Sequence, residues 1–161
     1  MSLILKIPLA LLALLLALLL LAIAWGLVFG LPGRAPAGLG MQSDGRLAPC
    51  RSTPNCVSSF AGGGYHAIEP LPLRGRVEEA MARLRRQLEA MPGMRIEQAG
   101  PGYLYVTQRT RWLGFVDDVE FLADVDQGVV HVRSASRLGR KDFGVNRARI
   151  ESVRRALADQ S

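Results

Sequence analysis

Phe115-Val116-Asp117-Asp118-Val119-Glu120-Phe121-Leu122-Ala123-Asp124-Val125, then Asp126-Gln127-Gly128, then Val129-Val130-His131-Val132-Arg133-Ser134-Ala135-Ser136: this stretch decides the fold. Both long runs are rich in β-branched and aromatic residues, and the three residues between them close a hairpin with glycine where a positive φ is needed. A third β-rich run covers residues 103–110, and residues 94–98 form a further candidate strand. Upstream, Val77, Ala80, Met81, Leu84, Leu88 and Met91 recur at helical spacing, with Glu78, Arg85, Arg86 and Glu89 on the other side, until Pro92-Gly93 stops the helix. Downstream, Ile150, Val153 and Leu157 form the apolar stripe of a second helix over residues 148–158.

The order helix, about four antiparallel strands, helix predicts an α+β two-layer sandwich with both helices on one face of the sheet. Leu104, Val106, Val119, Phe121, Ala123, Val130 and Val132 form the face under the helices. Alternation puts Tyr103, Tyr105, Arg109, Arg111, Asp118, Glu120, Asp124, His131 and Arg133 on the opposite face. On a flat sheet these are solvated cross-strand pairs, each worth little. On a curled sheet they line a polar groove.

Ahead of this domain lies a run from residue 9 to residue 29 with no charged side chain and no polar one except the indole of Trp25. At ~1.5 Å per residue it makes a helix of roughly 30 Å, the thickness of a bilayer's hydrocarbon core. The chain therefore divides into residues 1–30, a single-pass transmembrane anchor or signal segment, residues 31–46, a flexible Gly/Pro/Ala-rich linker, and residues 47–161, an exported α+β domain. Lys6 precedes the run and no acid does, which keeps the N-terminus cytoplasmic and sends the domain across the bacterial inner membrane to the periplasmic side. The alternative is a secreted domain cleaved near Ala24, at Ala22-Ile23-Ala24. An apolar run longer than the ~7–15 residues of a signal peptide, with Trp25 near its end, favours the anchor.

Beyond residue 31 the chain carries nineteen basic and fourteen acidic side chains, a net +5, and over the whole chain arginine outnumbers lysine 18 to 2. Eight bases against two acids crowd residues 131–155. That asymmetry fits an anionic partner or a membrane surface, and equally a plain solvated basic face. Nucleic acid matches the charge and not the compartment.

Two motifs carry chemistry. Cys50 and Cys56 are the only cysteines, and an even pair in an exported domain points to a disulfide. Free structural thiols, or a nucleophilic cysteine with His66 as base, are the alternatives. Two thiolates lack the further ligands zinc requires, and His131 has no ligand spacing around it, so no metal or other cofactor is expected. The second motif runs from Arg133 to Arg149, off a strand end and through a loop with two glycines into a helix N-terminus. Backbone N–H groups there, with Ser134, Ser136, Arg137, Arg140, Lys141 and Arg147, form a candidate anion cradle, extended along the sheet by Arg109 and Arg133. Asp142 or Asn146 would serve equally as a plain helix cap.

Pro49-Cys50 with Pro54-Asn55-Cys56-Val57-Ser58-Ser59, then Asp117-Asp118-Val119-Glu120-Phe121, then Arg133-Ser134-Ala135-Ser136-Arg137 with Gly139, Asp142, Gly144, Asn146 and Arg147, resemble the bacterial and plastid family of domain of unknown function 1499 (DUF1499) over about residues 45–158. The resemblance implies one domain with one signature. It implies no activity, because the family has none agreed, so no catalytic residue is carried over.

The leading expectation is a membrane-tethered envelope domain that binds an anionic ligand: a lipid headgroup, phosphate or glycan. The alternative is a structural or protein-interaction module. An enzyme using Asp117, Asp118, Glu120 and His131 is weaker, since Asp117 and Asp118 are adjacent in a strand and point to opposite faces. The partners expected are the bilayer, through residues 9–29, and possible anionic lipid; the oligomeric state is not legible. Intact mass of the membrane-extracted protein should be that of the full chain; loss of the first 24 residues would establish cleavage instead.

Overall fold

The computed structural model describes residues 3–29, 33–111 and 114–159, and within the first helix the side chains of residues 8 and 10–26. In chain order the elements are α1 (Leu3–Phe29), β1 (Cys56–Ser58), a 3-10 turn (Gly64–His66), β2 (Leu71–Pro72), α2 (Val77–Glu89), β3 (Met94–Gly100), β4 (Tyr103–Arg109), β5 (Val116–Asp124), β6 (Val129–Ser136) and α3 (Val145–Ala158). The fold is α+β, with three helices and a six-strand antiparallel sheet.

The sheet runs β1-β6-β5-β4-β3, and β2 also pairs with β6. Two of its strands were not foreseen. β1 and β2 are three and two residues long, too short to show alternation, and both lie along the outer edge of β6. The sandwich therefore has six strands, not about four. Gly128 closes the β5–β6 hairpin at φ 65°. Gly93 ends the α2 turn at φ 76°, and a Cβ there would meet the Arg109 carbonyl oxygen at 2.5 Å, so no other residue fits.

α2 and α3 pack on the expected face. Met81, Leu84 and Leu88 of α2 and Ile150 and Val153 of α3 bury against Leu104, Val106, Val119, Phe121, Val130 and Val132. Glu78 and Glu79 in its first turn and Arg86 in its last suit the dipole of α2.

The opposite face is covered, which corrects the expectation of solvated pairs. Asp118, Glu120, His131 and Arg133 are buried there. The cover comes from the residues before β1 and from Phe60 just after it. Gly40 N–H donates to Glu120 Oε1 at 2.7 Å, Leu47 is buried, and Phe60 stacks on His131 at 4.0 Å between ring centroids. Within the stretch between α1 and β1, Gly40 reaches Glu120 and the Gly33 carbonyl accepts from Arg137. Alternation reports which face a residue takes, not what lies over that face. Because the covering segment has no periodicity of its own, nothing in its pattern announces that it packs.

The side chains described in α1 stay exposed; Leu11, Leu18 and Leu21 each show more than half their surface. Among the described residues no helix is long and apolar enough to cross a membrane. The unbroken stretch of α1 with described side chains is residues 10–26, short of the ~20 apolar residues a span takes. Both ends of the 9–29 run lie outside those described side chains.

Phe121 is the largest fully buried side chain of the domain. Phe121→Ala should cost about 3–5 kcal/mol. A guanidinium unfolding curve followed by circular dichroism would read this as a lower midpoint at unchanged slope.

Candidate functional site

The acids of β5 divide between the two faces of the sheet, and each finds an arginine. On the helix side Asp117 pairs with Arg149 of α3, whose Nη1 also donates to Ser134 Oγ at 2.8 Å. Ser134 Oγ donates to Asn146 Oδ1 at 2.7 Å, and Asn146 Nδ2 donates to Ser136 Oγ, the Asn55 carbonyl and Asp142 Oδ2. Burial pushes the Asp142 carboxyl up, but the Tyr65 hydroxyl and the N–H groups of Asn146 and Gly144 outweigh it and hold the carboxyl below the usual range. This network is closed. Its donors and acceptors serve one another and fasten α3 to β6.

On the covered side, Glu120 accepts from Arg133 Nη1 at 3.0 Å, Tyr103 Oη at 2.9 Å and Gly40 N–H. Asp118 takes Arg137 through Nε and Nη2, and Tyr105 Oη at 2.6 Å. Burial, then the neighbouring carboxylates, push both tyrosine hydroxyls well up, so both remain donors. The Asp118 hydrogen bond likewise raises Arg137.

A cavity of about 40 Å³ opens beside these pairs, lined by Arg34, Arg51, Arg133, Arg137, Ser136 and Asp118, among others. That is room for about three waters at ~10–15 Å³ each, or one small oxyanion. Arg133 is only 6% exposed and its guanidinium is paired with Glu120 through Nη1. Arg34 and Arg51 are exposed and, among the described residues, pair with no carboxylate. Asp118 is the one acid in the lining and is already held by Arg137. The cavity therefore carries excess positive charge. The Cys50–Cys56 disulfide, Cα–Cα 5.7 Å, fixes the loop that carries Arg51 to β1. The ~2 kcal/mol expected for so short a loop matters less than that local shape.

Of the residues singled out in the sequence, Arg133, Ser136 and Arg137 line this cavity. Ser134 sits in the closed network on the other face. Arg147 donates to the Tyr65 and Ala67 carbonyls, Arg140 and Lys141 stand exposed on the following loop, and Arg109 is exposed at the end of β4. The structure thus splits the proposed cradle over both faces of the sheet. Arg34 and Arg51 were missed. Arg34 lay in the supposed linker, and the only pointer to Arg51 was its place next to Cys50.

Two other places invite chemistry. His131 Nδ1 lies 3.1 Å from Ser59 Oγ, and Nε2 lies 3.6 Å from Asp124 Oδ2. The carboxylate is beyond hydrogen-bond length, Ser59 Oγ is tied to the Val132 N–H at 2.9 Å, and the ring lies under Phe60. This is a buried brace, not an accessible nucleophile. A larger cavity, about 450 Å³, lies beside α2, α3 and β2 with Leu71, Leu84 and Leu157 in its wall. At its rim Arg83 donates to the Arg74 carbonyl and Arg154 to those of Pro70 and Glu69, so these cations serve the wall. Among the described residues no group of His, Cys, Asp or Glu could hold a metal.

The DUF1499 family model, described as a protein of unknown function, matches residues 46–157. No curated protein and no solved structure matches the chain.

Burial, against the pull of Asp124, lowers the pKa of His131, and the Arg46 charge lowers it further. The folded state therefore favours the neutral ring. The stability this confers is complete above the ordinary value of 6.5 and is lost as pH falls through the lower folded value. Urea midpoints should fall between pH 7 and pH 5 in the native chain, and His131→Phe should flatten that slope.

Proposed function

We propose, from the premise that the chain belongs to the DUF1499 family of proteins of unknown function, that it is a membrane-tethered envelope domain that binds a small oxyanion in the arginine-lined cavity. The observation that carries this is a cavity lined by four arginines and one carboxylate, in which Arg133 and Arg137 are paired and Arg34 and Arg51, among the described residues, have no carboxylate partner. Phosphate, free or on a lipid headgroup, and the acidic groups of a glycan share the needed chemistry: compact negative charge with acceptors on several sides. The cavity admits one such group, so a larger ligand would enter by a single terminal or side group.

The disulfide favours an oxidising compartment outside the cytoplasm. The 9–29 run, apolar all round, and the exposed leucines of α1 support a tether that buries them in lipid, with Lys6 on the cytoplasmic side of the inner membrane. Release after cleavage near Ala24 would keep the same domain on the same side.

The test spares Arg133 and Arg137, because removing one partner of a buried pair costs about 3–5 kcal/mol and would confound binding with folding. Arg34→Ala with Arg51→Ala removes two charge-assisted donors worth about 1.5–3 kcal/mol each. Phosphate binding by the detergent-solubilised full chain, measured by calorimetry, should weaken at least tenfold in the double variant. It should also weaken with added chloride in the native chain. Equal affinity in the two proteins would reject the site.

A further inference from the structure

We infer that the loop of residues 138–145 is a membrane-docking surface that seats the domain on anionic lipid beside its tether. Phe143 is 92% exposed, more than any other large apolar side chain among the described residues. Its exposure is built in rather than loose. Phe143 takes φ 53°, the one positive φ outside glycine among the described residues, which is a genuine outlier for a bulky side chain. Asp142 holds it there. Its N–H donates to the Pro54 carbonyl, its carbonyl accepts the Val145 N–H, and its carboxylate accepts the N–H groups of Gly144 and Asn146. The ring is thereby presented outward from a braced turn.

Leu138 and Val145, 38% and 48% exposed, extend the apolar tip, and Arg140 and Lys141 stand exposed between them. The acid of the loop, Asp142, is buried and directed at Tyr65 and Asn146, so the outward charge is positive. An apolar tip flanked by cations matches the interface of an anionic bilayer, where a Phe ring buries at the headgroup–acyl boundary and each basic side chain is drawn to the surface.

Position supplies the independent argument. Arg137 Nη1 donates to the Gly33 carbonyl at 3.3 Å, and a Cβ on Gly33 would lie 2.9 Å from Arg137 Cβ and 3.5 Å from Leu138 Cγ. The chain that leaves α1 therefore reaches the domain at the root of this loop. From Phe29 to Gly33 is at most ~14 Å at ~3.3–3.6 Å per residue. With residues 9–29 in the bilayer, the loop faces the membrane surface. This step rests on the tether proposed above and not on the oxyanion cavity.

The test uses the full chain with Trp25→Phe and Trp112→Phe, which leave Phe143→Trp as the sole indole, reconstituted in phosphatidylcholine bilayers with or without phosphatidylglycerol. Lipids brominated near the headgroup should quench the introduced indole at least twofold in the phosphatidylglycerol bilayers. Arg140→Ser with Lys141→Ser should abolish that quenching. Val145→Trp in place of Phe143→Trp gives the same readout if the first variant misfolds. Unquenched emission from both indole positions, in chain that still floats with the vesicles, would overturn the docking surface and leave the tether standing. Blue-shifted but unquenched emission would overturn it in favour of burial against protein, this chain's own surface or a second copy. Chain that fails to float would overturn the tether and this inference with it, while phosphate binding in the cavity would be unaffected.

Discussion

Three carboxylates on one buried strand set the terms for everything around them. Asp117, Asp118 and Glu120 lie in β5, whose first seven residues are all buried. A carboxylate taken out of water needs a cation and further donors, and removing one partner leaves an uncompensated buried charge. Each acid therefore dictates what lies over it. Asp117 requires Arg149, and so fixes α3 against the sheet. Asp118 and Glu120 take Arg137, just past the end of β6, and Arg133 of β6, and their remaining acceptors take tyrosine hydroxyls of β4 and the Gly40 N–H. The Arg149–Asp117 pair ties α3 to one face of β5, and the Gly40 N–H on Glu120 ties the residues after α1 to the other.

This explains why the sequence was legible in one half and opaque in the other. Met81, Leu84, Leu88, Ile150 and Val153 repeat at the spacing of a helix, and Val119 and Phe121 at that of a strand, so the apolar layer could be drawn from periodicity alone. β1 and β2 are too short to alternate. Gly33 and Gly40 meet the domain through long-range hydrogen bonds, with Arg137 and Glu120, that no local pattern encodes. The polar face was assigned correctly and its environment wrongly, because burial there comes from a partner segment with the composition of a linker.

The basic cluster near the C-terminus teaches a related lesson about charge. Eight bases between residues 131 and 155 read as one patch. Folded, Arg133, Arg137 and Arg149 neutralise the acids of β5, while Arg147 and Arg154 cap backbone carbonyls of residues 65–70. What is left for solvent or a partner is mostly Arg140, Lys141 and Arg155. The excess positive charge at the cavity comes from Arg34 and Arg51, far away in sequence. A charge count gives the sign of a domain's field, and only the pairing of each group says where that field emerges.

The outer edge of β6 has one more consequence. β1 covers it at residues 133–135 and β2 at residues 129–130, which would leave a gap between them. Ser59 closes it: its N–H donates to the Val132 carbonyl at 2.9 Å, and its hydroxyl accepts the Val132 N–H at the same distance. A side chain thus completes a ladder that two short strands leave unfinished. The opposite edge, β3, carries Arg95, Glu97 and Gln98 exposed along its length. Among the described residues one rim of the sheet offers no free backbone to a stray strand and the other offers it only between charges, so the domain is guarded against edge-to-edge polymerisation.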